Sequence, residues 1–125
     1  CIIEINNHTN YILKPFGRYF EWGRIKYETE HCLTIYPNQT SGRDDSSSGI
    51  QGYFIYDVLD KNTDKKICQI KLKFNIPYDT YSYRKSIEYE ILENYNNCNN
   101  NIKIKTNECW GGHGYSHNRC RFTIQ

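Results

Sequence analysis

Hydrophobic and polar residues alternate with a period of two along most of the chain, a pattern typical of half-buried β-strands rather than helices. The clearest run is residues 66–74, where apolar positions 70, 72 and 74 share one face and polar positions 69, 71 and 73 share the other. All such runs indicate antiparallel sheet with one buried face. The pattern predicts eight strands, at residues 3–5, 11–13, 32–36, 50–59, 66–74, 86–92, 101–105 and 120–125.

Short polar or glycine-rich segments separate these strands. Residues 60–65 read as a polar hairpin loop, and residues 94–101 contain six asparagines. Many short strands with frequent turns predict an all-β domain, either a β-sandwich or a barrel. A chain of 125 residues is long enough for one domain with a core and too short for two, so we expect a single domain at residues 1–125.

Cysteine is abundant for a chain of this length. An even count of six favours three disulfides and an oxidising compartment, although the sequence leaves their pairing open. The cysteines predicted to be bridged are Cys1, Cys32, Cys68, Cys98, Cys109 and Cys120. The last two also belong to a C-x3-H-x3-H-x2-C spacing that could hold zinc. Because an oxidising compartment favours disulfides over thiolate ligands, we expect no metal and no other cofactor.

Two N-glycosylation sequons, at Asn7 and Asn38, agree with passage through a secretory pathway. The chain begins at Cys1 with no visible signal peptide, and we read it as a mature secreted protein. Its formal net charge of +2 gives no strong field to attract nucleic acid. No pattern of nucleophile and base indicates catalysis, so we expect a protein that is not an enzyme.

Tyrosines cluster in the segment that follows the strand at residues 66–74. Pro77 breaks that strand, and Tyr78, Tyr81 and Tyr83 follow within a few residues. Amphipathic rings of this kind suit a membrane–water interface, or stack on sugars and choline-type cations. Arg84 beside them could contact a phosphate group. The alternative is that one or two of these rings cap the core.

The segment 41–49 combines two glycines, two carboxylates, four hydroxyls and one cation, which predicts a polar recognition loop. Arg43 could contact a lipid headgroup, or form an ion pair with Asp44 or Asp45 that shapes the loop. Trp22 falls in a second predicted loop, at residues 20–24, either as an exposed anchor or as a packed ring. Trp110 follows a cysteine, which favours packing.

Several of these segments, taken in order, resemble the aegerolysin family, and together they cover nearly the whole chain. The similar segments are Ile3-Glu4-Ile5-Asn6-Asn7-His8-Thr9, Trp22-Gly23-Arg24, Ser41-Gly42-Arg43-Asp44, Gly49-Ile50-Gln51-Gly52-Tyr53-Phe54, Phe74-Asn75-Ile76-Pro77-Tyr78 and Phe122-Thr123-Ile124-Gln125. Residues 76–83 also resemble the headgroup site of the actinoporins. Ser48 stands where aegerolysins often carry an acidic residue tied to the choice of headgroup.

The resemblance implies a small β-sandwich that binds sphingolipid- or sterol-rich membranes and forms pores with a larger partner protein. With the tyrosine-rich segment, it implies a membrane-binding surface made of Trp22, Arg43, Asp44, Ser48, Pro77, Tyr78, Tyr81, Tyr83 and Arg84. The alternative from the residues themselves is a secreted lectin or protein-binding domain without pore-forming activity, because aromatic loops on a sandwich also stack on sugars.

Overall fold

The computed structural model describes residues 2–22, 34–45, 49–76, 86–93, 101–110 and 119–125, with side chains at all of these except 2, 22 and 41–45. The described part of the chain contains eight strands. They are β1 (Ile2–Asn7), β2 (Tyr11–Trp22), β3 (Gln39–Asp45), β4 (Ile50–Asp60), β5 (Lys66–Ile76), β6 (Ser86–Glu93), β7 (Ile104–Trp110) and β8 (Arg119–Ile124). The prediction of an all-β fold is confirmed for these described residues.

The strands form two four-stranded sheets that pack against each other. The first sheet has the order β3-β1-β8-β7 and the second has the order β2-β4-β5-β6. Apolar side chains on the facing sides merge into one buried cluster, because each strand turns its hydrophobic positions inward. The cluster draws Ile3, Ile5 and Phe122 from the first sheet and Phe54, Tyr56 and Leu72 from the second, among others.

One strand pair departs from the predicted antiparallel arrangement. β1 runs parallel to β8, in register from Ile2 opposite Arg119 to Asn7 opposite Ile124. The other named strand pairs are antiparallel. A parallel pair needs a long connection between its strands, and here nearly the whole chain separates the first strand from the last. The expectation of antiparallel sheet throughout is therefore wrong for this pair.

β2 extends well beyond the predicted strand at residues 11–13. Its pairing with β4 shifts register between Pro15 and Gly17 and again between Phe20 and Trp22. These irregularities absorb the residues that break the alternating pattern. Proline is tolerated because β2 lies at an edge of its sheet, where a missing N–H removes no ladder bond. The loop predicted at residues 20–24 is therefore wrong for residues 20–22, which belong to β2. Residues 23 and 24 lie outside the described residues.

β3 occupies much of the segment predicted as a polar recognition loop. Residues 41–45 pair with β1, where Asp44 lies opposite Ile3 and Asp45 opposite Ile2. Ser, Gly and Asp favour turns, but pairing with a neighbouring strand outweighs such weak local preferences. The loop prediction is wrong for residues 41–45, and residues 46–48 lie outside the described residues.

Two other predicted strands change in extent. The structure describes residues 34–36 of the strand predicted at 32–36, and only Ile35 pairs there, in a bridge to Leu13. Their backbone N–H and C=O groups exchange two hydrogen bonds of 2.9 Å each. The strand predicted at 101–105 begins at Ile104 and continues to Trp110. The predictions at 50–59, 66–74 and 86–92 are confirmed by β4, β5 and β6.

A disulfide joins Cys109 on β7 to Cys120 on β8, two residues that lie directly opposite each other. Because their sulfurs are bonded to each other, Cys109 and Cys120 cannot bind zinc as thiolates. Cys68, buried on β5, is also disulfide-bonded. The predictions for Cys1, Cys32 and Cys98 fall outside the described residues.

The side chain of Asn7 is fully buried and fixes the turn between β1 and β2. Its Nδ2 donates to the backbone oxygens of Tyr11 at 2.8 Å and Ile35 at 3.2 Å. Its Oδ1 accepts from the backbone N–H of Thr9 at 3.0 Å and from the Thr9 hydroxyl at 2.6 Å. An N-linked glycan would replace one of the two Nδ2 hydrogens, so a glycan at Asn7 would cost one of these two hydrogen bonds. Asn38, in contrast, is exposed.

Candidate functional site

A groove of about 320 Å³ lies on the second sheet, on the side turned away from the core. All four strands of that sheet, β2, β4, β5 and β6, contribute to its walls. Along each strand, every second residue faces outward, so neighbouring strands place their outward side chains in rows across the sheet. Two such rows define the groove.

The first row runs across the whole sheet. Tyr19 lies opposite Tyr53, Tyr53 lies opposite Lys73, and Lys73 lies opposite Glu88. The ring centroids of the two tyrosines are 5.5 Å apart, and their planes are inclined by 31°. The row therefore places two adjacent aromatic rings beside an ammonium group and a carboxylate.

The second row closes one side of the groove with neutral polar groups. Gln51 lies opposite Asn75, and Asn75 lies opposite Ser86. Asn75 Oδ1 is buried and has no hydrogen-bond partner among the described residues. A buried acceptor without a partner is costly, because it has lost its water without gaining another donor. A ligand donor would remove this cost once the Asn75 side chain turned toward the groove.

The floor of the groove depends on a close approach between β2 and β4. A Cβ atom at Gly52 would lie 1.9 Å from the backbone oxygen of Tyr19 and 2.9 Å from the Cα of Phe20. Glycine is therefore required for the two backbones to approach this closely. Beneath the floor, Phe20, Phe54 and Phe74 pack together, and the closest pair of centroids, Phe54 and Phe74, is 4.8 Å apart.

The two tyrosines differ in how much of each ring a ligand can reach. Tyr19 is 52% exposed. Tyr53 is half-buried, and the Nζ atom of Lys71 lies 4.1 Å from the centroid of its ring. This ammonium covers one face of the Tyr53 ring in a cation–π contact. Tyr19 therefore offers the more open aromatic surface.

Charge in the groove leans negative. Glu21 and Glu88 supply two carboxylates, whereas Lys73 supplies one ammonium group. The Nζ atom of Lys73 lies 3.8 Å from Glu88 and 3.6 Å from Glu90, so its charge is balanced within the sheet. The ammonium of Lys71 over the Tyr53 ring adds a second cation beside the groove, so an incoming ligand meets both acceptor oxygens and ammonium donors.

The opposite end of the same sheet face is already paired internally. Gln69 Nε2 donates to Asp57 Oδ1 at 2.9 Å. Lys66 Nζ lies 2.7 Å from Glu93 Oε2 and 4.0 Å from Asp57. The hydrogen bond to Glu93 raises the pKa of Lys66 above its ordinary value. These side chains satisfy one another, which distinguishes this end from the groove.

Exposed aromatic and charged groups also meet on the outer face of the first sheet. Trp110 is 39% exposed, and the guanidinium carbons of Arg119 and Arg121 lie 4.8 Å and 5.1 Å from its ring centroid. Arg121 Nε donates to Glu4 Oε2 at 3.0 Å, and Arg121 also lies 3.9 Å from Glu108. Trp110 is therefore an exposed ring flanked by two guanidinium groups, contrary to the packing predicted for it, and the charges around it are paired.

The structure describes only part of the predicted membrane-binding surface. Trp22 ends β2, and its backbone pairs with Gln51, which lines the groove. Arg43 and Asp44 belong to β3, in the other sheet, so the structure does not unite them with Trp22 in one sheet. The predictions outside the described residues are Ser48, Pro77, Tyr78, Tyr81, Tyr83 and Arg84.

The groove itself was missed by reasoning from the sequence. The outward position of Tyr53 could have been predicted, because β4 has large rings at adjacent positions 53 and 54, and only one of them can face the core. The position of Tyr19 could not have been predicted, because the local pattern of β2 does not predict a strand there. The two rings are adjacent only because the register of β2 and β4 places Tyr19 opposite Tyr53, and local sequence does not reveal that register.

Among the described residues, no helix is long and apolar enough to cross a membrane. No group of three or more potential metal-ligating side chains occurs in the same part of the chain. Comparison with models of known protein families finds no match, and comparison with curated protein sequences finds none either. The resemblance to aegerolysins therefore stays a prediction.

Proposed function

We propose that this chain is a non-enzymatic binding module that recognises carbohydrate in the groove on its second sheet. The observation that carries the proposal is the row of Tyr19, Tyr53, Lys73 and Glu88 across four strands. It combines aromatic surface with charged hydrogen-bonding groups on a rigid sheet, which is the combination that a sugar requires.

Each part of the groove matches one feature of a sugar ring. The C–H face of a pyranose is apolar and stacks on an exposed aromatic ring such as Tyr19, whereas its hydroxyl groups both donate and accept hydrogen bonds. Glu21, Gln51 and Asn75 supply acceptors, and Lys73 supplies a donor. The volume of about 320 Å³ lies near the lower end of the usual range for small-molecule sites, roughly 300–1,000 Å³.

The rigidity of the floor also supports this proposal. Strands position side chains more precisely than loops do, and a preformed site loses less entropy when the ligand binds. The close contact at Gly52 and the phenylalanines beneath it fix the spacing of β2 and β4, and thereby the spacing of the two tyrosine rings.

A glycan array probed with the whole chain tests this function, followed by titration of any bound sugar into isotopically labelled protein. We expect binding, with the largest NMR shift changes at Tyr19, Tyr53 and Asn75. Absence of binding across neutral, amino and acidic glycans would overturn the proposal. Binding with shift changes confined to the first sheet would overturn the assignment of the site.

Membrane-lipid binding, as implied by the aegerolysin resemblance, is a second proposal. Residues 77–85 connect β5 to β6, so this tyrosine-rich segment is joined to the chain close to Asn75 and directly before Ser86, both in the groove wall. A headgroup that carries a sugar would suit the groove and the segment together. On this proposal, Trp22 and residues 77–84 contact the bilayer, and a larger partner protein forms the pore.

Vesicles separate the two proposals. Sedimentation is measured with vesicles of phosphatidylcholine alone, with added sphingomyelin and sterol, and with an added glycosylated lipid. Binding that requires sphingomyelin supports the lipid proposal, and binding that requires the glycosylated lipid supports the carbohydrate proposal. Binding to soluble glycan without binding to any vesicle would contradict the membrane-lipid proposal.

We further propose that the two packed sheets are a single secreted β-sandwich domain stabilised by three disulfides. The bonds at Cys68 and between Cys109 and Cys120 support an oxidising compartment. The exposed sequon at Asn38 agrees with the same compartment.

A further inference from the structure

Asn75 lies in the wall of the groove. It lies in the middle of its row, between Gln51 and Ser86, on a strand at the centre of the sheet. Its Oδ1 atom is buried and accepts no hydrogen bond within the described part of the chain. An apolar side chain of the same size would avoid that cost.

Gln69, on the same strand and the same outer face, provides a contrast. Its amide is also buried, but Nε2 donates to Asp57 Oδ1 at 2.9 Å. The amide of Gln69 therefore stabilises the fold, whereas Asn75 Oδ1 has no donor among the described residues and gains one from a ligand only when the side chain turns toward the groove. Of these two amides, only that of Asn75 has an oxygen that a ligand could pair with at no cost to a bond within the described residues.

The charges near Asn75 restrict which donors fit. Glu21 and Glu88 face the same groove, and the ammonium group of Lys73 is balanced by Glu88 and Glu90. A ligand that carries a carboxylate or sulfate would meet Glu21 and Glu88 as like charges, which is unfavourable even though Lys71 lies beside the groove. A hydroxyl or a protonated amine meets no such repulsion.

We infer that the groove selects sugars that present a hydrogen-bond donor to Asn75 and discriminates against acidic sugars. This inference rests on the proposed carbohydrate-binding function and specifies its ligand class. Neutral and amino sugars share the required donor, and uronic acids and sulfated sugars are rejected.

Three probes with one common framework test the charge selection: β-1,4-linked tetramers of glucose, glucosamine and glucuronic acid. Calorimetric titration of the whole chain should detect the first two. The glucuronic acid tetramer should bind at least about tenfold more weakly than the glucose tetramer. Equal or tighter binding of the acidic tetramer would overturn the inference while leaving the proposed function in place.

Two substitutions test the role of Asn75. Asn75→Leu removes the acceptor at similar size, and we expect about a tenfold loss of glucose-tetramer affinity with an unchanged or higher melting temperature. Asn75→Asp keeps the acceptor and should shift preference further towards the glucosamine tetramer. Gln69→Leu is the matched control, and it should lower the melting temperature while leaving sugar affinity unchanged.

The outcomes separate failure of this inference from failure of the function. A lower melting temperature for Asn75→Leu would make Asn75 a structural residue and overturn the inference. So would unchanged affinity of that variant. If the wild-type chain binds none of the three tetramers, the inference fails as stated, and only a blank glycan array would overturn the carbohydrate function as well.

Discussion

Tyr19 and Tyr53 lie directly opposite each other on the outer face of the second sheet, with ring centroids 5.5 Å apart. Their strands are held close by Gly52, at which any side chain would meet the backbone of Tyr19. An aromatic pair on an edge strand and its neighbour gives this face a surface on which a ligand can stack.

Gly52→Ala should disrupt both the fold and the groove. The new methyl group would lie 1.9 Å from the Tyr19 oxygen, so β2 must move away from β4. We expect a loss of about 1–3 kcal/mol in the free energy of unfolding, the usual cost of overpacking, measured by chemical denaturation. Gly17→Ala on β2 is the control, because a Cβ atom at Gly17 would meet no other atom within 4 Å. A Gly52→Ala variant as stable as Gly17→Ala would contradict the close approach.

The disulfide between β7 and β8 should make a measurable contribution to stability. Replacing Cys109 and Cys120 together by serine removes a cross-link between residues 11 apart in sequence. Cross-links of this span restrict the unfolded chain, so we expect the melting temperature to fall with a loss of roughly 2–4 kcal/mol. Peptide mapping without reduction should recover the Cys109–Cys120 pair and find Cys68 oxidised. Free thiols at these positions would contradict the structure.

The two sequons should behave differently when the chain is made in a eukaryotic secretory host. Asn38 is exposed and sits in a turn with a backbone φ of 62°, whereas both Nδ2 hydrogens of Asn7 are used inside the fold. We expect removal of the sequon by Asn38→Gln to abolish the glycan-dependent mass shift.

Asn7→Gln is the comparison for the same experiment. It should leave the glycan mass unchanged and lower the melting temperature, because the longer side chain cannot reproduce the four contacts of Asn7. A glycan found on Asn7 in folded, secreted protein would contradict the geometry of that turn.

The strands that could be predicted from the sequence are those in which the local hydrophobic pattern agrees with the tertiary contacts. β5 alternates without interruption, and the burial of Ile70, Leu72 and Phe74 follows that alternation. β2 could not be predicted beyond its first residues, because Pro15 and Gly17 interrupt the pattern and pairing with β4 carries the strand past them. β3 has turn-forming residues and is a strand because β1 pairs with it.

The groove could not be predicted for a different physical reason. Its residues come from four strands, and their proximity depends on register, which local sequence does not encode when both faces carry polar and aromatic residues. Tyr53 and Lys73 are well separated in the chain and directly opposite in the sheet. The sequence drew attention instead to glycine- and tyrosine-rich segments, most of which lie outside the described residues.

The most direct test of the central claim is the affinity of Tyr19→Ala for the glycan that the wild-type chain binds best. Tyr36→Ala is the matched control, because both tyrosines are 52% exposed and only Tyr19 lines the groove. We predict about a tenfold loss of affinity for Tyr19→Ala, full affinity for Tyr36→Ala and similar melting temperatures for both. Equal affinities of the two variants would contradict carbohydrate binding in this groove.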